Sequence, residues 1–567
     1  MTSQVGAPVQ TPGLAQVALR RLILYALLFA LVVIAASGLS GLLERLFTSG
    51  AVLAPTDVAG LALALAFTLI GGPLALLLWW FVWRRLDDEA ERTAVGWGLY
   101  ITGMYAVSLI VSTTALLGLA ASLIGGPERQ WASPLSNGLV WAVIWVWHRW
   151  MWKHPVKPST HLEDIRNLIG TVFGLLVGAI AGILALGGLL DVAIRGTTLL
   201  TVAVEPWWHS VLRALVWAVG GSIVWWWHWF REGGQRLQTR LADVTIIGVG
   251  IFAAGITALG GSGVVLFVLL RVAFDRESPM GELLDPMASA IAAAFIGSVV
   301  WRYHRTVSVH RSGATRRASL LVTSAVALAT GASGIGVVVN SLLAAAVSPL
   351  AGGSARTVLL GGVSSLLVGG PAWWLAWKPT RQPQTAEAIP HGRRVYLIAF
   401  FGISAVVALI ALLVIGYRLF EFLLGDVSGG SLIDRIRAPL GLLVAAGLVA
   451  GYHFALWRHD RVLIAAAEPA RRRTVDRVTL VTGSDPEALA KGIAEVTGGA
   501  KVTVWLRTDD GATTQPAAGT FPTPGDSLGQ IAKALEGITA RHVLVVRGPG
   551  TRLDVIPVDT GYRIPEG

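Results

Sequence analysis

From residue 22 to residue 457 the chain alternates long apolar runs with short polar connections. A helix needs about 20 apolar residues to cross the ~30 Å hydrocarbon core of a bilayer. Twelve runs reach that length, at approximately 22–43, 58–83, 98–124, 135–152, 168–194, 209–230, 244–271, 285–302, 319–347, 356–377, 396–424 and 437–457. The pattern predicts an all-α polytopic membrane helix bundle. The runs at 135–152 and 285–302 are the shortest, so the helix count is open by one pair. Arg20 and Arg21 precede the first run as in a signal peptide. Its apolar stretch continues to Leu42 and Leu43, however, which is too long for an h-region, and no A-x-A cleavage site follows. It reads as an uncleaved anchor.

The pattern changes after Trp457. A basic, Ala-rich stretch runs to Arg473, and a domain-sized segment follows. Val475 to Val481 alternates as a strand. Ser484, Asp485 and Pro486 open a helix over Glu487 to Val496, and Lys501 to Leu506 is a second strand. Asp526 or Ser527 caps a helix through Leu535. His542 to Arg547 and Leu553 to Val558 flank Gly548-Pro549-Gly550 as a hairpin. The order suits a small C-terminal α+β soluble domain. The expected division is an N-terminal tail at 1–18, a transmembrane domain at 19–459, a basic linker at 460–474 and the α+β domain at 475–567.

Within the membrane region a pattern recurs at the end of every second helix, W-x-x-[H/V/A]-W-[R/K] with substitutions. It reads Trp79, Val82, Trp83, Arg84; then Trp145, His148, Arg149; then Trp225, His228, Trp229; then Trp301, His304, Arg305; then Trp373, Ala376, Trp377, Lys378; and last His453, Leu456, Trp457, Arg458. A roughly constant period is a repeat signature, with a helical hairpin as the unit. Six tandem hairpins result, at about 19–86, 92–153, 166–231, 241–306, 316–379 and 393–459. Two helices per unit give successive units one orientation, so the repeats are parallel rather than inverted.

Composition agrees. Of 567 residues 54% are hydrophobic and only 14% charged, with mean hydropathy +0.64, against about 25% charged in soluble domains. The absence of cysteine excludes disulfides, thiolate metal sites and cysteine nucleophiles. The net charge of +11 is sorted by side. Connections after even-numbered helices, with both flanks, hold 26 basic residues and the other connections hold 10. The positive-inside rule then places both termini in the cytoplasm of a cell whose inner, or plasma, membrane holds the protein. The segment from Val475 on is slightly acidic, which argues against nucleic-acid binding.

Sixteen of the 23 Trp lie at the basic helix ends. An indole ring suits the headgroup level, with Arg and Lys snorkelling just beyond. The Trp and His of the repeated pattern are therefore expected to be structural interfacial anchors near the aqueous edge. The alternative is an aromatic ligand site, or haem ligation by His148, His228 and His304. Gly174, Gly178 and Gly182 share a face, and Gly248, Gly255, Gly260, Gly261 and Gly263 thin another helix. Small residues let helix backbones approach closely, so these predict tight packing.

Ionisable residues in the bilayer centre default to function, and almost none are found. Arg213, Asp285 and Arg437 lie in first turns, while Asp191, Arg271, Arg418 and Glu421 lie near helix exits. Asn340 is the most polar residue within an odd-numbered helix. Gly525, Ser527 and Gly529 match G-x-S-x-G, but no buried strand precedes them and only His542 is near, so helix capping explains them. No catalytic, cofactor-binding or metal-binding residue is assigned.

The repeated hairpin endings resemble an uncharacterised bacterial membrane family, the domain of unknown function 5671. Gly370, Pro371, Trp373 and Trp377 carry the resemblance in one unit, and Gly221, Trp225, His228 and Trp229 in another. It would cover roughly residues 19–460. It implies tandem membrane repeats and no established activity. The expected function is a non-enzymatic membrane scaffold or sensor, with membrane lipids and a cytoplasmic protein bound through 475–567 as partners. The alternative is a permease for an uncharged or lipophilic solute.

Overall fold

The computed structural model describes residues 14–48, 57–125, 131–196, 206–347, 352–380, 391–425, 431–467, 475–482, 486–497, 499–506, 533–535, 538, 540–547 and 553–558. Among them are twelve long helices. These are α1 (Leu14–Thr48), α2 (Val58–Arg85), α3 (Val95–Ser122), α4 (Ala132–Trp152), α5 (Glu163–Arg195), α6 (Trp207–Arg231), α7 (Arg240–Phe274), α8 (Met287–Val309), α9 (Gly313–Val347), α10 (Gly352–Trp377), α11 (His391–Leu423) and α12 (Leu432–Ala467). Eleven are long and apolar enough to span a membrane. The exception is α4, whose Ser, Asn, His and five Trp dilute its hydropathy. Its 21 residues still reach ~31 Å at 1.5 Å per residue.

The chain divides into two compact units, one of residues 1–382 and 390–454, the other of 383–389 and 455–567. In the first, glycines set the closest helix approaches within hairpins. A Cβ on Gly221 of α6 would strike the backbone of Gly178 on α5. Gly297 of α8 meets Ala258 of α7 in the same way, and Gly369 of α10 meets Gly331 of α9. The small-residue expectation thus holds at Gly174, Gly178 and Gly261. Gly182 only grazes Ile296, at 3.7 Å, and lines a recess of about 390 Å³. Gly248, Gly260 and Gly263 would meet nothing within 4 Å.

Ion pairs join the helix ends. On the Trp-bearing side Arg21 pairs with Glu91 at 3.1 Å, Lys157 with Asp87 at 2.8 Å, and Arg311 with Asp243 at 2.8 Å. On the other side Arg45 pairs with Asp57 at 3.0 Å, closing the first hairpin, and Asp57 also caps α2 by accepting from the Gly60 N–H. Arg271 pairs with Asp275 at 2.8 Å and holds its carboxyl well below the usual carboxylate range. Arg166, one of the 26 basic residues counted from sequence to the connections after even-numbered helices, lies within a helix. It is fully buried in the first turn of α5, with its guanidinium 4.8 Å from the Trp152 ring.

In the second unit, β1 (Val475–Thr482), α13 (Pro486–Val496), β2 (Lys501–Leu506), β3 (Ala540–Arg547) and β4 (Leu553–Val558) form a sheet of order β2-β1-β3-β4. β1 runs parallel to β2 and β3, and β3 runs antiparallel to β4. The central β1 is buried at Val478, Thr479 and Leu480 in succession, and Val478, Leu480, Val543 and Val545 pack on Leu489 and Ile493 of α13. The α+β expectation holds, strand for strand. α12 continues through Ala467, so the first part of the expected basic linker is helical. The remaining linker, the Asp526 and Ser527 caps, the G-x-S-x-G residues and the Gly548-Pro549-Gly550 turn lie outside the described residues.

Candidate functional site

The repeated motif builds one layer across the Trp-bearing ends of the bundle. Its second helices are α2, α4, α6, α8, α10 and α12, and the same contacts recur in alternate hairpins. Trp79 of α2 meets Trp147 of α4 edge-on at 5.0 Å. Trp225 of α6 meets Tyr303 of α8 at 5.7 Å, and Trp373 of α10 meets Tyr452 of α12 at 5.5 Å. One turn later the Trp229 indole donates to the Tyr303 hydroxyl at 2.6 Å, and Trp377 donates to Tyr452 at 2.8 Å. Trp79 donates to the Met151 sulfur at 3.3 Å, while Trp83 stacks on Trp150 at 5.3 Å. The same ring contacts thus relate the hairpins two by two, in three four-helix units α1–α4, α5–α8 and α9–α12, and Tyr105 of α3 reaches His228 of α6 across the first two of them.

The histidines point into the bundle. His148, His228, His304 and His453 are all at most 3% exposed. Each places Nδ1 2.8 Å from the carbonyl oxygen four residues earlier, on Ile144, Val224, Val300 and Val449. A carbonyl only accepts, so Nδ1 carries the proton and Nε2 is left as the acceptor. The Tyr100 hydroxyl lies 3.1 Å from Nε2 of His148, and the Tyr105 hydroxyl 2.8 Å from Nε2 of His228. His228 sits on Gly170 and His304 on Gly250, where any Cβ would overlap the ring. Two π-helical turns, Trp227–Arg231 and Ile246–Ala253, fall at these contacts. Among the described residues no three His, Asp or Glu side chains converge as metal ligands.

Most motif tryptophans also turn inward. Trp229 and Trp377 are buried, and Trp79, Trp83, Trp145, Trp225, Trp301 and Trp373 are half-buried. Trp457, half-buried, belongs to the second unit, where Arg461 lies 5.0 Å over its ring. The exposed indoles belong to their neighbours Trp80, Trp150, Trp226, Trp227 and Trp374. Arg84 covers the Trp80 ring at 4.1 Å and Arg231 the Trp226 ring at 5.6 Å. The sequence signal that separates the two sets is helical phase: adjacent Trp residues point about 100° apart.

One feature absent from the sequence reading is a cleft in the third unit. A cavity of about 470 Å³ lies between α9, α11 and α12, and another of about 410 Å³ between α9, α10 and α12. They share Leu328, Ala332 and Val449. Small side chains make the space: Ala329, Ala332 and Ser333 face Ala438, Ala445 and Ala446, beside the close contact of Gly336 with Gly441. α11 touches α12 through rings at one end only, with Phe400 stacked on His453 at 5.5 Å and Phe401 on Phe454 at 5.3 Å. Asn340 lines the first cavity and His453 the second. Among the described residues, the Oδ1 of Asn340 and the Nε2 of His453 are both buried with no hydrogen-bond partner.

Tandem hairpins, an interior aromatic layer and apolar spans define a multi-pass helical membrane protein. The family model of the domain of unknown function DUF5671 matches residues 21–155 and again 317–448. Two stretches of the chain are thus similar to this family, in tandem. The first match spans α1 to α4 and the second runs from α9 to the middle of α12, so each reaches across two hairpins rather than one. Residues 156–316, which include Gly221, Trp225, His228 and Trp229, lie outside both matches, a narrower coverage than 19–460. No curated protein and no solved structure matches the chain.

Proposed function

We propose that the protein is a non-enzymatic membrane scaffold or sensor that engages a protein partner through the unit carrying the sheet. The observation that carries this reading is the edge strand β2. Its Trp505 and Leu506 are 61% and 63% exposed among the described residues. An exposed Trp on an unpaired strand edge is a hazard unless something covers it. α12 supports the relay role. It is one helix of 36 residues, ~54 Å long and so longer than the bilayer core. The test is photo-cross-linking in cells from a benzoylphenylalanine placed at Trp505 of the full chain. A discrete adduct, lost on Leu506→Glu, is expected. No adduct, together with unchanged growth after deletion of 475–567, would overturn the reading.

A second reading, a permease for an uncharged or lipophilic solute, is favoured by the cleft of the third unit. No Asp, Glu, Lys or Arg lines it, which suits passage of a neutral molecule without ion coupling. Uptake of radiolabelled lipophilic solutes into proteoliposomes tests it. Rates equal to those of protein-free vesicles would rule it out.

A further inference from the structure

We propose that the cleft of the third unit is a binding site for a neutral lipophilic molecule bearing a hydroxyl, which donates its hydrogen bond to Nε2 of His453. The site holds whether the protein relays or carries.

The argument starts from the imidazole. Nδ1 of His453 is 2.8 Å from the Val449 carbonyl and so holds the ring proton. Nε2 therefore presents a lone pair, buried and without a partner. Native structures rarely leave such an acceptor empty, because it forfeits its bond to water and gains none in return. At two of the equivalent histidines the same atom is filled, both times by a phenol hydroxyl: Tyr100 at His148 and Tyr105 at His228. Tyr396 takes the place in the third unit that Tyr100 takes in the first, with its ring 5.7 Å from that of His453. Its hydroxyl, however, is 3.1 Å from the Ser324 hydroxyl and leaves the imidazole unserved.

The cavity completes the site. The two cavities, which share Leu328, Ala332 and Val449 as walls, together follow α12 from Ala438 to His453, ~22 Å or about two-thirds of the hydrocarbon core. That length suits an alkyl chain or fused rings. The walls are apolar and uncharged, so an ionic headgroup would find no counter-ion and pay its full desolvation. Asn340 Oδ1, near the far end, is a second empty acceptor. Both vacant groups therefore ask for donors, and a hydroxyl is the donor an apolar molecule carries at least cost.

The test uses the purified full chain in phosphatidylcholine nanodiscs, photolysed with 3-azioctanol, with adducts mapped by mass spectrometry. Adducts should concentrate on cleft residues such as Leu328, Ala332 and Leu442. 4-Octylphenol should suppress them about ten-fold more effectively than octylbenzene, the difference being one buried hydrogen bond. His453→Phe keeps an aromatic ring and removes the acceptor, so labelling should persist while the advantage of octylphenol disappears. Adducts spread evenly over lipid-facing helices would overturn the site. Equal competition by octylbenzene in the wild type, or an octylphenol advantage that survives in H453F, would overturn recognition by Nε2.

Discussion

The indole N–H of Trp229 donates to the hydroxyl of Tyr303 at 2.6 Å, from the third hairpin to the fourth. Trp229 is 1% exposed, so no solvent replaces that acceptor. Tyr303→Phe should destabilise the bundle by about 1–3 kcal/mol, the cost of an orphaned buried donor. Trp229→Phe in the same chain should recover part of that loss, because donor and acceptor are then both gone. Unfolding in bicelles, followed by tryptophan fluorescence or circular dichroism for the four chains of this cycle, measures the coupling. Additive losses would mean that the bond contributes nothing.

The histidines divide by what faces Nε2. His148 has Tyr100 at 3.1 Å, and His453 has no partner. Replacing a satisfied polar pair member by Phe strands the other, whereas replacing an unsatisfied group removes a penalty. His148→Phe should therefore lower stability by about 1–3 kcal/mol, and His453→Phe in delipidated protein should be neutral or stabilising. Thermal midpoints of the two variants, measured side by side in one detergent, give the comparison. Equal losses would contradict the assignment of partners.

How far the sequence foretold this follows from what each signal measures. Apolar run length is set by bilayer thickness, so all twelve helices were legible, including α4 where indoles lower the hydropathy. Strands β1 to β4 were legible from alternation and turn residues. The hairpin repeat was legible too, yet its pairing into four-helix units was not. That pairing rests on contacts such as Trp229 to Tyr303, whose partners lie far apart in sequence. The inward direction of His148, His228, His304 and His453 was missed because proximity to Arg and Lys suggests an edge. Burial depends instead on which neighbour shortens to Gly, as Gly170 does for His228. The cleft was invisible for a related reason: small residues read as close packing, which holds for Gly331 and Gly369, whereas Ala329, Ala332, Ala445 and Ala446 of the same unit leave space.

Glycines at contacts and glycines in the open should respond with opposite sign. A side chain on Gly221 would collide with the Gly178 backbone, whereas one on Gly260 would meet nothing within 4 Å. Gly221→Val should force α5 and α6 apart and cost several kcal/mol, as overpacking and lost helix contact add. Gly260→Ala should stabilise by about 0.4–1 kcal/mol by restricting the unfolded chain. Unfolding midpoints of the purified variants give both signs. A tolerated G221V would remove glycine contact as the reason for the hairpin geometry.

The sorting of basic residues makes a topology prediction. With 26 basic residues against 10, the end of the bundle that carries the Trp layer should face the cytoplasm. A C-terminal fusion to green fluorescent protein should fluoresce, and a C-terminal fusion to alkaline phosphatase should be inactive. Active phosphatase would invert the orientation and place the sheet on the outer side.

Glu232 ties the second hairpin to the third. Its carboxylate lies 2.6 Å from both Arg149 and Lys153 and accepts from the Trp227 indole at 3.2 Å. Its backbone carbonyl accepts from the Asn167 amide at 2.9 Å. The carboxylate side chain is 5% exposed, whereas Arg149 is 23% and Lys153 47% exposed. Solvent therefore screens the cations more than the anion. Glu232→Gln keeps the shape and one acceptor but loses the charge. It should cost about 1–2 kcal/mol, between the value of a surface pair and that of a buried one. Lys153→Met should cost no more than about 0.5 kcal/mol, since its ammonium regains water. Thermal midpoints at low and high salt separate the cases. The loss in E232Q should survive high salt, because the anion is enclosed, and a loss that vanishes with salt would mark the cluster as a surface feature.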